Sequence, residues 1–186
     1  MRSRFPLISG FERYAIGVLG CFLAAWGCAH FSGCATAAGA ARDTNGIPNL
    51  RLVEPSVYRG GQPDTAGWQW LREAGVSNVV KLNTQDEGSD KPAVVLGMRL
   101  SYFPVDTLQQ LISGPDPTAM SNAVARIGPG TYVHCLHGQD RTGLVIGLYR
   151  LQEGTNAAEA WQEMTNCGFH PALLGLTHYW TEHSGP

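Results

Sequence analysis

Short apolar runs alternate with amphipathic stretches from Leu50 to the end of the chain. The apolar runs are rich in β-branched residues, which is typical of buried strands. The amphipathic stretches repeat their apolar positions every three or four residues, which predicts helices. The predicted strands lie at 57–59, 76–82, 100–105 and 131–136. The predicted helices lie at 65–74, 92–98, 118–127, 142–151, 157–164 and 173–183, while 83–90 is a polar loop and 107–117 is irregular.

This alternation of strand and helix predicts an α/β fold. Its centre is a mostly parallel sheet of four to five strands, flanked by helices on both faces. In sheets of this kind, ligands bind at the carboxyl ends of the strands. We therefore expect the functional residues in the loops that follow the strands.

The N-terminal segment has the pattern of a secretory signal or a membrane anchor. Arg2, Arg4 and Arg13 precede an apolar run at 14–31 that contains no Asp, Glu, Lys or Arg. Small residues then dominate up to Ala41. The sequence therefore predicts that the protein is exported to the periplasm or the cell envelope.

The apolar run ends at Phe31-Ser32-Gly33-Cys34-Ala35, which resembles the lipobox of bacterial lipoproteins. Cys34 is therefore a candidate for lipidation, and cleavage near 37–41 and an uncleaved anchor are the alternatives. Either a lipid on Cys34 or an uncleaved anchor would hold the protein at the membrane. The chain divides into a signal peptide or membrane anchor at 1–33, a flexible tether at 34–49 and a folded domain at 50–186.

Composition and charge exclude several classes of protein. The 186 residues include 13 basic and 15 acidic side chains, and removing 1–33 leaves ten basic and fourteen acidic, a formal charge of −4. Lys occurs only at positions 81 and 91, so no nucleic-acid partner is expected. The apolar content of 44% excludes a disordered chain, and five cysteines in this length exclude a small disulfide scaffold.

The loop after the last predicted strand carries groups suited to phosphate chemistry. Cys135 ends the strand, five residues follow, and Arg141 opens the next helix. Such a loop directs its amides into one concavity, and together with the helix N-terminus they favour a bound dianion and the thiolate of Cys135. The Arg141 fork holds two phosphoryl oxygens, the Thr142 hydroxyl donates to the sulfur as it leaves, and His134 supports the loop. The phosphate-binding positions are Leu136, His137, Gly138, Gln139, Asp140 and Arg141.

The pattern His134-Cys135-x5-Arg141-Thr142-Gly143 resembles the signature of the cysteine-based protein tyrosine phosphatase superfamily, nearest its compact dual-specificity branch. The segment Tyr58-Arg59-Gly60-Gly61-Gln62-Pro63 is similar to the opening of bacterial, plant and fungal members. The resemblance covers about residues 50–183. It implies a phosphocysteine intermediate on Cys135, phosphate held by Arg141 and the loop amides, an Asp that protonates the leaving group, and neither metal nor cofactor.

Three aspartates are candidates for that general acid. Asp106 is preferred because it follows a predicted strand, starts an irregular stretch and precedes Cys135 by 29 residues. Asp116 is the reserve, although its position before a helix also suits capping. Asp140 gives an Asp-Arg-Thr sequence that resembles myotubularin-like and Sac-like lipid phosphatases, where it would act as the acid or position a water. Alternatively, Asp140 points outward and pairs with a basic residue.

The predicted function is hydrolysis of phosphate monoesters, with a phosphorylated protein or a small phosphate ester as substrate. A phosphoinositide, other lipid or sugar phosphatase is the alternative, and an inactive phosphate-binding module is the non-enzymatic one. His137 and Gln139 replace lysines common in loops for highly phosphorylated inositols, which favours a substrate with one or two phosphates.

A metal at His134, Cys135 and His137 would lack a fourth ligand. Cys167 either packs in the core or pairs with Cys135.

Overall fold

Residues 45–185 are described by a computed structural model of the chain. The predicted signal or anchor, Cys34 and the first part of the tether lie outside the described residues. None of the helices in the described range is long and apolar enough to span a bilayer. The strands are β1 (Arg51–Glu54), β2 (Val57–Gly60), β3 (Asn78–Lys81), β4 (Arg99–Tyr102) and β5 (Thr131–His134). The α-helices are α1 (Thr65–Glu73), α2 (Lys91–Val95), α3 (Pro117–Val124), α4 (Asp140–Gln152), α5 (Ala157–Asn166) and α6 (Leu174–His183).

The five strands form one sheet in the order β1-β2-β5-β3-β4. β2, β5, β3 and β4 run parallel, and only β1 is antiparallel, paired with β2 at the edge. The predicted fold class, a mostly parallel sheet with helices on both faces, is confirmed. β5 lies in the middle of the sheet, so its carboxyl end is flanked by those of β2 and β3.

Alternate residues of the central strands face two separate apolar layers. Val79 and Tyr132 pack with Trp68 and Leu71 of α1 and with Ala93 of α2. The neighbouring positions, Val80 and Val133, pack instead against the layer built from α3, α4, α5 and α6. Both faces are buried because each is covered by helices, which is why β3 and β5 read as continuous apolar runs.

α4 is the central helix of the second layer. Nearly all of its residues from Arg141 to Tyr149 are buried. A Cβ on Gly147 would lie 2.4 Å from the Met164 sulfur, so the absence of a side chain lets α5 approach closely. This packing fixes the N-terminus of α4 directly after the loop that leaves β5.

Two segments differ from the sequence-based expectation. Residues 45–49, assigned to the tether, pack onto the domain: Ile47 is fully buried, and Asn49 is 4% exposed. The irregular stretch at 107–117 contains a helical turn whose π-helical part is Gln109–Ser113. The wider π geometry places apolar residues off the 3.6-residue repeat, which is why the pattern did not predict this turn.

Candidate active site

The predicted site lies where three parallel strands end side by side. In register, His134 at the end of β5 stands beside Gly60 of β2 and Lys81 of β3. The loop 135–139 leaves β5 at this edge, and α4 begins at Asp140. The strand ends therefore bring Cys135 and Arg141 together with residues from distant parts of the chain.

The loop folds back over the Cys135 sulfur. Cys135 is 2% exposed, and Gly138 N–H donates to its Sγ at 3.3 Å. Gly138 has φ of +74°, and a Cβ there would lie 2.3 Å from the carbonyl carbon of Gly60. Only glycine meets both demands. Leu136, the exposed His137 and Gln139 complete the loop.

Glu87 and Val105 hold the Arg141 guanidinium in place. Nη1 donates to Glu87 Oε2 at 2.6 Å and to Val105 O at 3.1 Å, while Nη2 donates to Glu87 Oε1 at 2.7 Å. The buried Nε has no partner within residues 45–185. Glu87, in the polar loop after β3, is a site residue that the sequence did not reveal.

The charges of this pair reinforce each other. The hydrogen bond from Arg141 lowers the pKa of Glu87 to about 2, against the opposing effect of burial. Burial acts to lower the pKa of Arg141, but the Glu87 bond and the Cys135 charge outweigh it and raise the pKa. Both side chains therefore stay ionised, and Arg141 lies within electrostatic range of the sulfur.

The end of β2 and the residues that follow it support the loop. Gln62 N–H donates to Leu136 O at 2.9 Å, and a Cβ on Gly61 would lie 2.7 Å from that oxygen. The buried Arg59 donates through Nη2 to Gly138 O at 3.2 Å. The Tyr-Arg-Gly-Gly-Gln-Pro motif thus has a physical role in shaping the loop 135–139.

His134 is held by a buried polar cluster. Its Nε2 lies 2.9 Å from Asp90 Oδ2, and its Nδ1 lies 3.4 Å from Cys135 O. Asp90 Oδ1 also accepts from Lys81 Nζ at 3.3 Å and from Gln62 Nε2 at 3.0 Å. Burial raises the pKa of Asp90, but the His134 hydrogen bond and charge prevail and lower it. His134 therefore connects the strand ends to the Cys135 backbone.

Each of the three candidate acids has a defined place. Asp106 is exposed at the start of the helical turn, and its Oδ1 accepts from Gln109 N–H at 2.8 Å. It directly follows Val105, whose carbonyl contacts Arg141, so its loop borders the site. Asp116 caps α3 by accepting from Ala119 N–H at 2.7 Å.

The Asp140 carboxylate is paired with His170. This agrees with the interpretation in which Asp140 points outward and pairs with a basic residue. Asp140 Oδ1 accepts from His170 N–H at 2.8 Å and lies 2.9 Å from His170 Nδ1.

The buried Thr142 hydroxyl has no hydrogen-bond partner in the described part of the chain, so its bond to the sulfur stays a prediction. Cys167 is buried at the end of α5, and no disulfide joins it to Cys135 among the described residues.

Comparison with known proteins identifies the family. A family model described as "DSP-PTPase phosphatase fused to NAD+ Kinase" matches residues 42–174. The chain belongs to this family. It is a member of the cysteine-based protein tyrosine phosphatase superfamily, in the compact dual-specificity branch, which confirms the resemblance carried by the sequence motifs.

Individual relatives and solved structures match parts of this chain. TpbA from Pseudomonas aeruginosa, named a dual specificity protein phosphatase, is 30% identical over 125 residues, covering 65% of this chain and 55% of TpbA. The chain thus spans about half the length of this curated relative. The DUF442 protein of Shewanella putrefaciens CN-32 is 27% identical with a TM-score of 0.58, over 76% of this chain and 94% of that one. PTPMT1 in complex with PI(5)P shares the fold, with 17% identity and a TM-score of 0.57 over 72% of this chain and 95% of that one.

Proposed function

We propose that this chain is an exported phosphatase that hydrolyses phosphate monoesters through a phosphocysteine on Cys135. The observation that carries the proposal is the Arg141 fork. Glu87 and Val105 fix it on two sides, while its Nε–H stays available beside a buried sulfur that already accepts from a loop amide. A dianionic phosphoryl group complements this arrangement of charge and donors.

In the proposed reaction, the Cys135 thiolate attacks phosphorus and forms an S–P bond. The P–O bond to the leaving group breaks, and Asp106 gives that oxygen a proton. Arg141 and the loop amides stabilise the charge on the equatorial oxygens. Water then attacks phosphorus and gives a proton to Asp106, the S–P bond breaks to return the Cys135 thiolate, and inorganic phosphate leaves.

The substrate proposed first is a phosphorylated protein or a small phosphate ester. The name of TpbA, a dual specificity protein phosphatase, supports this choice. The loop contributes Gln139 and His137 where lysines would attract additional phosphates, and the formal charge beyond residue 33 is −4. A substrate with one or two phosphates suits this electrostatic setting better than a polyphosphate.

A lipid phosphatase is the second candidate. A protein of this fold, PTPMT1, has been solved in complex with PI(5)P, and the Asp-Arg-Thr sequence resembles lipid phosphatases. The structure weakens one part of that argument, because the Asp140 carboxylate is engaged by His170. A panel that compares phosphotyrosyl peptides with phosphoinositide vesicles discriminates between the two substrates.

The central test replaces the Cys135 sulfur with oxygen and measures the loss of activity. We expect Cys135→Ser in the full chain to release p-nitrophenol from p-nitrophenyl phosphate at least about a thousandfold more slowly than wild type, because the hydroxyl is a much weaker nucleophile. Cys167→Ser is the matched control, a buried cysteine that is outside the proposed machinery, and it should retain activity. Full activity in Cys135→Ser would contradict the covalent mechanism.

A further inference from the structure

Arg59 is a buried cation that no acidic side chain compensates within residues 45–185. It lies in β2, its side chain is fully buried, and its Nε and Nη1 have no hydrogen-bond partner in that range. Burying a charge without a counter-charge costs folding free energy. Stability therefore gives no reason for an arginine at this position.

The two carbonyl oxygens that accept hydrogen bonds from Arg59 each accept from a second donor as well. Nη2 donates to Gly138 O at 3.2 Å and to Gln139 O at 3.5 Å. Gly138 O also accepts from Asn49 Nδ2 at 2.9 Å, and Gln139 O accepts from Gly143 N–H at 2.8 Å. Each carbonyl therefore keeps a donor when the guanidinium is removed.

Arg59 lies behind the phosphate loop. In a trans peptide the C=O and N–H groups point in opposite directions. Because the carbonyls of Gly138 and Gln139 point towards Arg59, the amides of the next residues in the chain, Gln139 and Asp140, point away from it. The sulfur side of the loop is where Gly138 N–H meets Cys135 Sγ. An oxyanion seated there would face these amides, with the guanidinium on the far side of the same peptides.

We propose that Arg59 is a positioning residue for phosphate. Its positive charge and its hydrogen bonds polarise the loop peptides whose amides face the bound oxyanion, and the oxyanion supplies a negative charge that no acidic side chain within residues 45–185 provides. The inference rests on the proposed function and extends it to a residue outside the Cys135–Arg141 segment. It separates the role of Arg59 from that of Arg141, which would touch the phosphate directly.

The test compares the full chain with two variants that each lose one positive charge, Arg59→Met and Arg72→Met. Arg72 is exposed on α1 and serves as the matched control. The probe is inorganic phosphate, measured by its effect on the unfolding temperature and by its inhibition of p-nitrophenyl phosphate hydrolysis. Without phosphate, we expect Arg59→Met to unfold at the wild-type temperature or above it, because a buried unpaired charge is gone.

With phosphate, the same variant should bind roughly tenfold more weakly and lose most of the stabilisation that the anion gives to wild type. Arg72→Met should match wild type in both measurements. Arg59→Lys, which keeps the charge without the planar fork, should bind phosphate with an affinity between those of wild type and Arg59→Met. It also provides a readout if Arg59→Met does not fold.

Two results would overturn the proposal. In the first, Arg59→Met lowers the unfolding temperature and binds phosphate as wild type does, so Arg59 only supports the structure. In the second, Arg59→Lys binds phosphate unchanged while Arg59→Met fails to fold. If the wild-type chain itself neither binds phosphate nor hydrolyses the ester, the proposed function fails first and this inference falls with it.

Discussion

At the scale of single residues, the five N–H groups of Arg141 are divided between two tasks. One hydrogen from each terminal nitrogen goes to Glu87, and a second from Nη1 goes to Val105 O. Nε–H and the second hydrogen of Nη2 remain, and they form a second fork on the edge of the guanidinium. A lysine could not divide its donors in this way, because its ammonium lacks the fixed planar geometry.

The ion pair between Glu87 and Arg141 predicts how the free energy of unfolding depends on pH. Its pKa is about 2 in the fold and 4.5 ordinarily, so its contribution is present above about pH 4.5 and is lost as the pH falls towards 2. We expect Glu87→Gln to lower the free energy of unfolding by about 1 kcal/mol at pH 7, after solvent screening of the pair. Denaturant titrations should show the difference from wild type closing between pH 4.5 and 2.

Asp86→Asn is the control for this experiment. Asp86 is an exposed carboxylate in the same loop, so its replacement should leave the pH dependence as in wild type. If Glu87→Gln and wild type kept the same difference in stability across this pH range, the ion pair would not be the source of the contribution.

The sequence revealed some site residues and not others, for a physical reason. Cys135 and Arg141 lie in one short loop, where spacing alone predicts that they meet. Glu87 and Asp90 reach their partners, Arg141 and His134, across 54 and 44 residues of chain. Nothing local in the polar loop 83–90 marks them, because their roles depend on which strands become neighbours.

At the scale of elements, the turn from β5 to α4 depends on one glycine. Gly138 combines a positive φ with contact to the Gly60 backbone. We expect Gly138→Ala to reduce kcat/KM by at least about tenfold, because the added methyl must displace the loop that surrounds the sulfur. Steady-state assays with p-nitrophenyl phosphate measure the change.

Gly154→Ala is the matched control for the loop. Gly154 has a φ of +88°, but a Cβ there would meet nothing within 4 Å. It should cost about 1 kcal/mol of stability through backbone strain and leave kcat/KM unchanged. Equal losses of activity in the two variants would show that strain alone, and not the contact with Gly60, disturbs the site.

The elements themselves were predicted where the apolar pattern is strong. The apolar run around Val79-Val80 and the predicted strand at 131–136 gave β3 and β5, because both faces of these strands are buried. The edge strand β1 was missed, since it is partly exposed and has no continuous apolar run. The turn at Gln109–Ser113 was missed because its π-helical spacing does not follow the helical repeat.

At the scale of the whole molecule, alternation of strand and helix was sufficient to predict the sheet. The N-terminal boundary was less accurate, because Ile47 and Asn49 pack against parts of the fold that are distant in sequence. A small polar segment with one Ile gives no local sign of such contacts. The predicted tether therefore includes at least five residues that belong to the folded part.

Export with lipidation at Cys34 is a prediction about the whole chain in the cell. If the cysteine carries the lipid, Cys34→Ala should leave the membrane fraction and change its migration on a gel, because no lipid is attached. Cys28→Ala, which changes a cysteine inside the apolar run, should do neither. A Cys34→Ala protein that still sediments with membranes and migrates unchanged rules out the lipid.

The contact between Val105 O and Arg141 has a consequence for turnover. The segment after β4 that leads to Asp106 contacts the guanidinium through this carbonyl. Val105 is 1% exposed and its N–H donates to Leu82 O, so we expect this carbonyl to stay in place when the exposed residues from Asp106 onward move to release the dephosphorylated alcohol. The arginine would then keep its orientation while the first product departs, and it would already be in place for hydrolysis of the phosphocysteine.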